Sequence, residues 1–328
     1  MTLTETKQHS SGGRYKPIHL DTVFVGMDIN FDLYIKYEHS QRYTLYRHKG
    51  HLFTEADKLR VVTNEAALFI RFGEFEHYNK YVENKLNDVL ADATLDVETK
   101  GKFLYTATIN YVNEIFEIPN NISDLSRSKA LVHNILTCIS GAKEIQDLMN
   151  PLVQHCFYTY THSAQTTTLA LVLARHAFKD AVEDFFIEVG TGGLLHDIGK
   201  IHISKDILNK PGTLTPEEFE VMKHHTEYGL EILKRQNINS SIVINMVKQH
   251  HEKMDGTGYP SRLSADEISK VGKLTAVADV YAALVSDRPY RPRMEHDVAI
   301  HIMEHEMKGS FDEETLGLLK DIIIHGIH

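Results

Sequence analysis

His250-His251-Glu252-Lys253-Met254-Asp255-Gly256-Thr257-Gly258-Tyr259-Pro260 is the stretch on which the reading of this chain turns. A paired histidine runs into an acidic, glycine-rich loop closed by proline. Imidazole binds metal at neutral pH, and Asp, Gly and Pro let a loop bring backbone close to a ligand. A second pair of metal-binding type, His196-Asp197, lies upstream in Leu194-Leu195-His196-Asp197-Ile198-Gly199-Lys200. Its apolar flanks predict burial, and a buried charge is costly unless paired or metal-bound. Two such pairs, with further His and Asp around them, point to a metallohydrolase.

The neighbouring segments read as helices with short polar turns. Thr215-Pro216-Glu217-Glu218 predicts a helix start, with Thr as N-cap, Pro first and Glu third, carrying Phe219, Met222 and His225 on related turns. Ser264-Ala265-Asp266-Glu267 predicts a second capping box leading towards Val277-Ala278-Asp279. Asp279 lies in a small and apolar run that ends at Leu284, where a carboxylate needs a partner. The donor inventory is therefore His162, His196, Asp197, His225, His250, His251 and Asp279. Taken singly, each has a plainer account: a hydrogen-bonded core histidine, a half-exposed His-His on a helix surface, an Asp that caps a helix or pairs with Arg. Together, five imidazoles and two carboxylates make two half-sites with one carboxylate available to bridge. Nitrogen and oxygen donors without thiolate favour iron, manganese, zinc or nickel over a structural zinc site. Two adjacent metals that share a hydroxide suit in-line phosphoester hydrolysis.

Order and spacing carry this further. Thr161-His162-Ser163, Leu194 to Ile201, Ile207-Leu208-Asn209-Lys210-Pro211-Gly212-Thr213-Leu214, Met222-Lys223-His224-His225, His250 to Pro260, Val277-Ala278-Asp279 and Asp287-Arg288-Pro289-Tyr290-Arg291 follow one another. Residues 151 to about 315 thereby resemble the HD-GYP family, the branch of the HD metal-dependent phosphohydrolases that degrades cyclic di-GMP, with its Gly258-Tyr259-Pro260 triplet intact. The resemblance implies a helical domain and two divalent transition-metal ions, iron or manganese. His162, His196 and Asp279 would hold one ion, His225, His250 and His251 the other, and Asp197 would bridge them. His225 is preferred over His224, which reads as an exposed helix residue. Some family members hold a third metal through a Glu one turn before the first ligand; Tyr158 stands there in this chain, which favours two.

Lys200 is expected at a phosphate oxygen and Arg288 and Arg291 at the second phosphate, since guanidinium forks match phosphate. Tyr259 is expected to stack on a guanine or to pack the loop. Asp197 and Lys200 are the residues implied for the chemistry: metal-activated water opening cyclic di-GMP to pGpG, with a further cut to GMP open to the family. Two alternatives stand beside this, a cyclic di-GMP receptor with little turnover and a phosphodiesterase acting on a cyclic GMP-AMP dinucleotide. The receptor reading is weakened by seven intact ligands.

The rest of the chain reads in broader terms. Its 328 residues, 42% hydrophobic and 24% charged, suit a globular protein of two domains. A net charge of -10 argues against nucleic acid as partner. No run approaches the roughly twenty apolar residues of a membrane helix, and two cysteines offer no disulfide framework, so a cytoplasmic protein is expected. Residues 1–17 read as a polar tail. Residues 18–90 read as a small α+β module, with strands at Phe31 to Tyr37, Tyr43 to Tyr46 and Ala67 to Phe72 and a short helix begun by Thr54. Residues 91–150 read as a helical connector, its first helix capped by Asp96 or Thr99 and carrying Phe103, Leu104, Ala107, Tyr111 and Ile115. Residues 151–328 read as the domain that resembles the HD-GYP family, in a chain expected to be mainly α. Protein partners are expected through the N-terminal module or the Gly258-Tyr259-Pro260 loop, and a homodimer is compatible with the sequence.

Overall fold

The computed structural model describes residues 15–18, 20–37, 40, 42–117, 125–141, 158–286 and 292–326. The chain divides into two compact units, residues 1–85 and 86–328.

In the first unit a four-stranded antiparallel sheet has the order β1(Tyr15–Ile18), β6(Ala66–Arg71), β3(Leu33–Tyr37), β4(Thr44–Arg47). Tyr15 pairs with Arg71, Tyr34 with Phe69 and Ile35 with Thr44. A separate ribbon joins β2(Met27–Asp28) to β5(Leu52–Phe53). The helix begun at Thr54 is α1(Glu55–Thr63), and its capping box is complete, with Thr54 and Asp57 each satisfying the other's backbone N–H. Buried Asp57 also takes two charge-assisted bonds from Arg47, at 2.9 and 2.7 Å. The strand predicted at residues 31–37 forms from Leu33, but its burial does not alternate, because Leu33, Tyr34 and Ile35 are all buried. Tyr15 covers the outward Tyr34 edge-on at 4.9 Å, and the Arg71 guanidinium lies over the same ring at 5.2 Å. Phe31, Tyr78 and Tyr81 pack edge to face at the core, two of them on α2(Phe75–Ala91).

The second unit is helical: α3(Val97–Glu117), α4(Leu125–Gly141), α5(Tyr158–Ala177), α6(Glu183–Leu195), α7(Lys205–Leu208), α8(Pro216–Lys223), α9(His225–Arg235), α10(Ser241–Gln249), α11(Lys270–Leu284), α12(His296–His301) and α13(Glu313–His325). Mainly α with a small strand-containing N-terminal module is thus the fold class. Asp96 caps α3 by accepting from Thr99 N at 2.7 Å, and the five apolar residues expected inward on that helix are all buried. α3 and α4 pack on α5 and α6 as part of the second unit. None of the helices among the described residues is long and apolar enough to cross a membrane.

Two helix boundaries differ from expectation. The Thr215 helix stops at Lys223, and His225 opens the next helix after a turn at His224. Ser264 and Glu267 do bond to one another, but they close a turn; α11 starts at Lys270 and is capped by Ser269. At the first break the side chains of His224, His225 and Thr226 bond to the carbonyls of Glu220, Met222 and Lys223, and at the second Glu267 accepts from Ser264, so in both places side chains offer the backbone an alternative to continuing a helix.

Close crossings set the frame. α5 and α6 touch at Gly193, where a Cβ would come 2.8 Å from Thr167 Cα. The short turn after Asp197 crosses α9 at Gly199, where a Cβ would run into the His225 carbonyl oxygen and stand 2.5 Å from Gly229 N. Only backbone faces backbone there, and neither can step aside. Gly199→Ala is therefore expected to destabilise the protein by about 1–3 kcal/mol or more, read as a fall in the denaturation midpoint. A variant as stable as the parent would show that the crossing can widen.

Candidate metal centre

Seven donors from five helical segments meet in the core of the second unit. His162 sits on α5 in a run of buried polar residues, where Thr167 and Thr168 return their hydroxyls to the carbonyls of Ser163 and Ala164. His196 caps the carboxyl end of α6, and Asp197 follows it. His225 opens α9, His250 and His251 follow α10, and Asp279 lies within α11. All but His251 are buried, and His251 is half-buried.

The donor atoms fall into two groups, His162, His196 and Asp197, and Asp197, His225, His250 and His251, with atoms of each within 4.8 Å of one another. Asp197 belongs to both. Its Oδ2 lies 3.3 Å from His196 Nε2, and its Oδ1 lies 3.4 Å from His225 Nε2 and 3.8 Å from His250 Nε2. Asp279 Oδ1 accepts from His162 Nε2 at 2.6 Å and stands 3.5 Å from His196 Nε2; its Oδ2 is 3.7 Å from His251 Nδ1. Asp279 thus joins the first group and also reaches the second.

Backbone carbonyls fix the imidazoles. His196 Nδ1–H donates to Gly193 O at 2.7 Å, His225 Nδ1–H to Met222 O at 2.7 Å and His250 Nδ1–H to Val247 O at 3.0 Å. Each bond holds a proton on Nδ1 and turns Nε2 towards the other donors, the arrangement that orients metal-binding histidines. Burial holds His225 at about 4 and His251 at about 3, and puts His250 well below its ordinary value, so these rings are neutral donors. Burial also disfavours a charged His196, but Asp197 and Asp279 outweigh it and raise that ring to about 10, so its Nε2 carries a proton that a cation would have to displace. Burial works against ionised Asp197 too, yet Lys200 and His196 hold it well below the usual carboxylate range.

The residues fit a cation. His196 Nε2 and Asp197 Oδ1 are buried and carry no hydrogen bond, although both face the other donors. Buried polar atoms are seldom left so, and cations among these lone pairs would satisfy them. A donor set of imidazole and carboxylate, with no thiolate among the seven, suits a divalent transition metal.

The other expected site residues are distributed around this cluster. Lys200 Nζ pairs with Asp197 Oδ2 at 2.5 Å and is partly exposed. Tyr259 packs on His251, 4.6 Å between ring centroids, and reaches His225 at 6.3 Å. His224 is exposed and turned away, bonded to Glu220 O at 2.9 Å. Tyr158 is the first residue of α5. Arg288 and Arg291 lie outside the described residues, as do residues 1–14 of the polar tail.

Two positioning residues escaped the sequence reading. Glu252 is buried, and its two oxygens accept from Ser261 N at 2.7 Å and Leu263 N at 3.0 Å. It therefore closes the loop that carries Tyr259, while Gly258 permits a fold-back in which a Cβ would stand 2.6 Å from His251 O. Gln249, one residue before the histidine pair, accepts from Ser269 N at 3.0 Å and Ser269 Oγ at 2.6 Å, tying α10 to the start of the Asp279 helix. The available signal was a Glu or Gln flanking two ligands, but nothing local names partners 9 to 20 residues away.

A model of the HD domain family matches residues 147–315, more than half of the chain, and the chain belongs to that family. Among its relatives is a cyclic di-GMP phosphodiesterase of Pseudomonas aeruginosa, 41% identical over 158 residues that make up 48% of this chain and 37% of the relative. A 3'3'-cGAMP-specific phosphodiesterase of Vibrio cholerae is 38% identical over 187 residues, 56% of this chain and 38% of that protein. A cyclic di-GMP phosphodiesterase of Thermotoga maritima is 40% identical over 154 residues, 45% and 40% of the two chains. The matched part thus spans about two fifths of these relatives' lengths. A solved structure of an HDG"Y"P protein from Bdellovibrio bacteriovorus has the same fold, with a TM-score of 0.67 at 20% identity over 95% of this chain and 100% of that one.

Glu252→Ala removes the acceptor of the Ser261 and Leu263 N–H groups without replacing any of the seven donors. It is expected to retain the metal content of the parent while amide hydrogen exchange quickens at Ser261 and Leu263. Unchanged protection there would remove Glu252 from its positioning role.

Proposed function

We propose that this protein is a metal-dependent phosphodiesterase that opens cyclic di-GMP to linear pGpG at a centre of two divalent ions, iron or manganese. The observation that carries the proposal is the Asp197 carboxylate, whose two oxygens face different donor groups, as a bridge between two cations requires. The names of the relatives from Pseudomonas aeruginosa and Thermotoga maritima support the substrate. When bound, such ions supply Lewis acidity to the phosphoryl oxygens and acidify a water.

The chain's own residues have distinct tasks in this reading. His162, His196 and Asp279 hold one ion, and His225, His250 and His251 the other. The carbonyls of Gly193, Met222 and Val247 keep three of these rings in the productive tautomer. Lys200 brings an ammonium beside Asp197, where it meets a phosphate oxygen and steadies the leaving alkoxide. Arg288 and Arg291 grip the second phosphate, and Tyr259 walls the substrate at His251. A second cut, to GMP, requires pGpG to rebind with its remaining diester at the ions. The Vibrio cholerae relative favours 3'3'-cGAMP as the alternative substrate.

Fully loaded protein is expected to contain two metal ions per chain by elemental analysis, and Asp197→Ala to lose both metal and turnover. An Asp197→Ala protein that keeps its metal and its rate would exclude a shared carboxylate.

With manganese or ferrous iron, the parent protein is expected to convert cyclic di-GMP to pGpG over many turnovers, followed by chromatography. Arg288→Ala should lower efficiency roughly ten- to a hundredfold, the worth of one charge-assisted contact, with the metals retained. Tight dinucleotide binding by the metal-loaded protein without any product would make it a receptor.

A further inference from the structure

One end of α8 adjoins the metal centre and carries a group of side chains to which the reaction assigns no role. Phe219 is 44% exposed. Its ring meets that of Tyr259 edge to face, 6.1 Å between centroids, and Tyr259 in turn packs on His251. An exposed phenyl is thereby continuous, through a single ring, with a metal donor. One turn further along, the Lys223 ammonium stands 5.0 Å from the Phe219 centroid and 5.8 Å from that of Tyr259. The same ammonium pairs with Glu220 Oε1 at 2.6 Å, and the Glu220 side chain is 67% exposed. Lys223, and with it Arg262, holds the Glu220 carboxyl below its ordinary value, so the carboxylate is ionised.

A solvated ion pair of this kind adds little to stability. Its surroundings give it a use. Exposed aromatic rings are platforms for nucleobases, and a cation beside a carboxylate matches the edge of one base in particular. Guanine presents acceptors at O6 and N7 and donors at N1–H and N2–H₂. An ammonium donates to the first pair, and a carboxylate accepts from the second. Adenine places an N6–H₂ donor where guanine has O6 and lacks both N1–H and N2–H₂. It would set donor against donor and leave the carboxylate without a partner, and sites so built reject the wrong base strongly.

We propose that Phe219, Glu220 and Lys223 form a guanine-selective base subsite, with Phe219 as the stacking platform and the Glu220–Lys223 pair reading the base edge. The proposal rests on the phosphodiesterase reading above and extends it to the choice of base. The ion pair opens as guanine enters, and each partner exchanges one charged contact for hydrogen bonds to the base.

The test compares the parent protein with Phe219→Ala, Glu220→Ala and Lys223→Met, all loaded with manganese, on cyclic di-GMP, 3'3'-cGAMP and cyclic di-AMP. Calorimetric binding of cyclic di-GMP and cyclic di-AMP is measured alongside. All three side chains lie on the outer part of one short helix, and metal content verifies that each variant is intact. Glu220→Ala and Lys223→Met are each expected to lower kcat/KM on cyclic di-GMP roughly ten- to a hundredfold, with little change on cyclic di-AMP, so that the preference for guanine collapses. Phe219→Ala should weaken both dinucleotides alike. A guanine-to-adenine ratio that stays constant in both the Glu220 and Lys223 variants overturns the subsite and leaves the phosphodiesterase reading in place. Failure of the parent protein to turn over any of the three overturns that reading instead, and the two binding constants then decide the subsite: a guanine preference lost in the variants supports it, and equal affinities overturn it.

Discussion

The sharing of one buried carboxylate, that of Asp197, is the constraint on which the second unit depends. A lone ionised carboxylate in a protein interior is strongly disfavoured. Here its oxygens are surrounded by His196, His225, His250 and Lys200, drawn from three segments of chain. Those segments have to converge on one point, and their convergence fixes the packing around it. α5 must lie close on α6 so that His162 meets His196, and the Asp197 turn must lie close on α9 so that His225 meets Asp197. Gly193 and Gly199 are the residues that permit both approaches. Site and core are a single problem in packing.

The seven candidate donors were legible in the sequence because their chemistry is conspicuous. His196-Asp197 between apolar flanks and His250-His251 before a glycine-rich loop both read as buried polar groups in need of partners, and the structure brings all seven donors together. Helix starts were legible where a side chain caps locally, as at Thr54, Asp96 and Thr215. What could not be read were interruptions and long-range ties. The break at His224 puts His225 at a helix start instead of a helix interior, and local propensity does not distinguish the two. Glu252 and Gln249 act through backbone groups that only the folded loop brings near. Burial on both sides of β3 depends on Tyr15 and Arg71 from other strands, which the periodicity of one strand does not contain.

The tie between α10 and α11 shows how the arrangement is held without spending donors on it. Gln249 grips Ser269, the cap of α11, immediately before the chain supplies His250 and His251. Any tilt of α11 that would carry Asp279 away from His162 would also have to break this part-buried bond. Ser269 thus serves two helices, capping one with its hydroxyl oxygen and binding the other with its hydroxyl hydrogen.

The carbonyls that receive His196, His225 and His250 have a further meaning. They belong to the last turns of α6, α8 and α10, so three helices direct their carboxyl ends at one small volume. Each such end carries roughly half a negative elementary charge, and those charges reside in the main chain, beyond the reach of substitution. Cations are drawn inward by this field together with Asp197 and Asp279, while a doubly anionic nucleotide is pushed out by it. The polarity reverses only once metal charge is in place. In the phosphodiesterase reading, the direction in which these helices run implies a sequence of assembly, cation before phosphate.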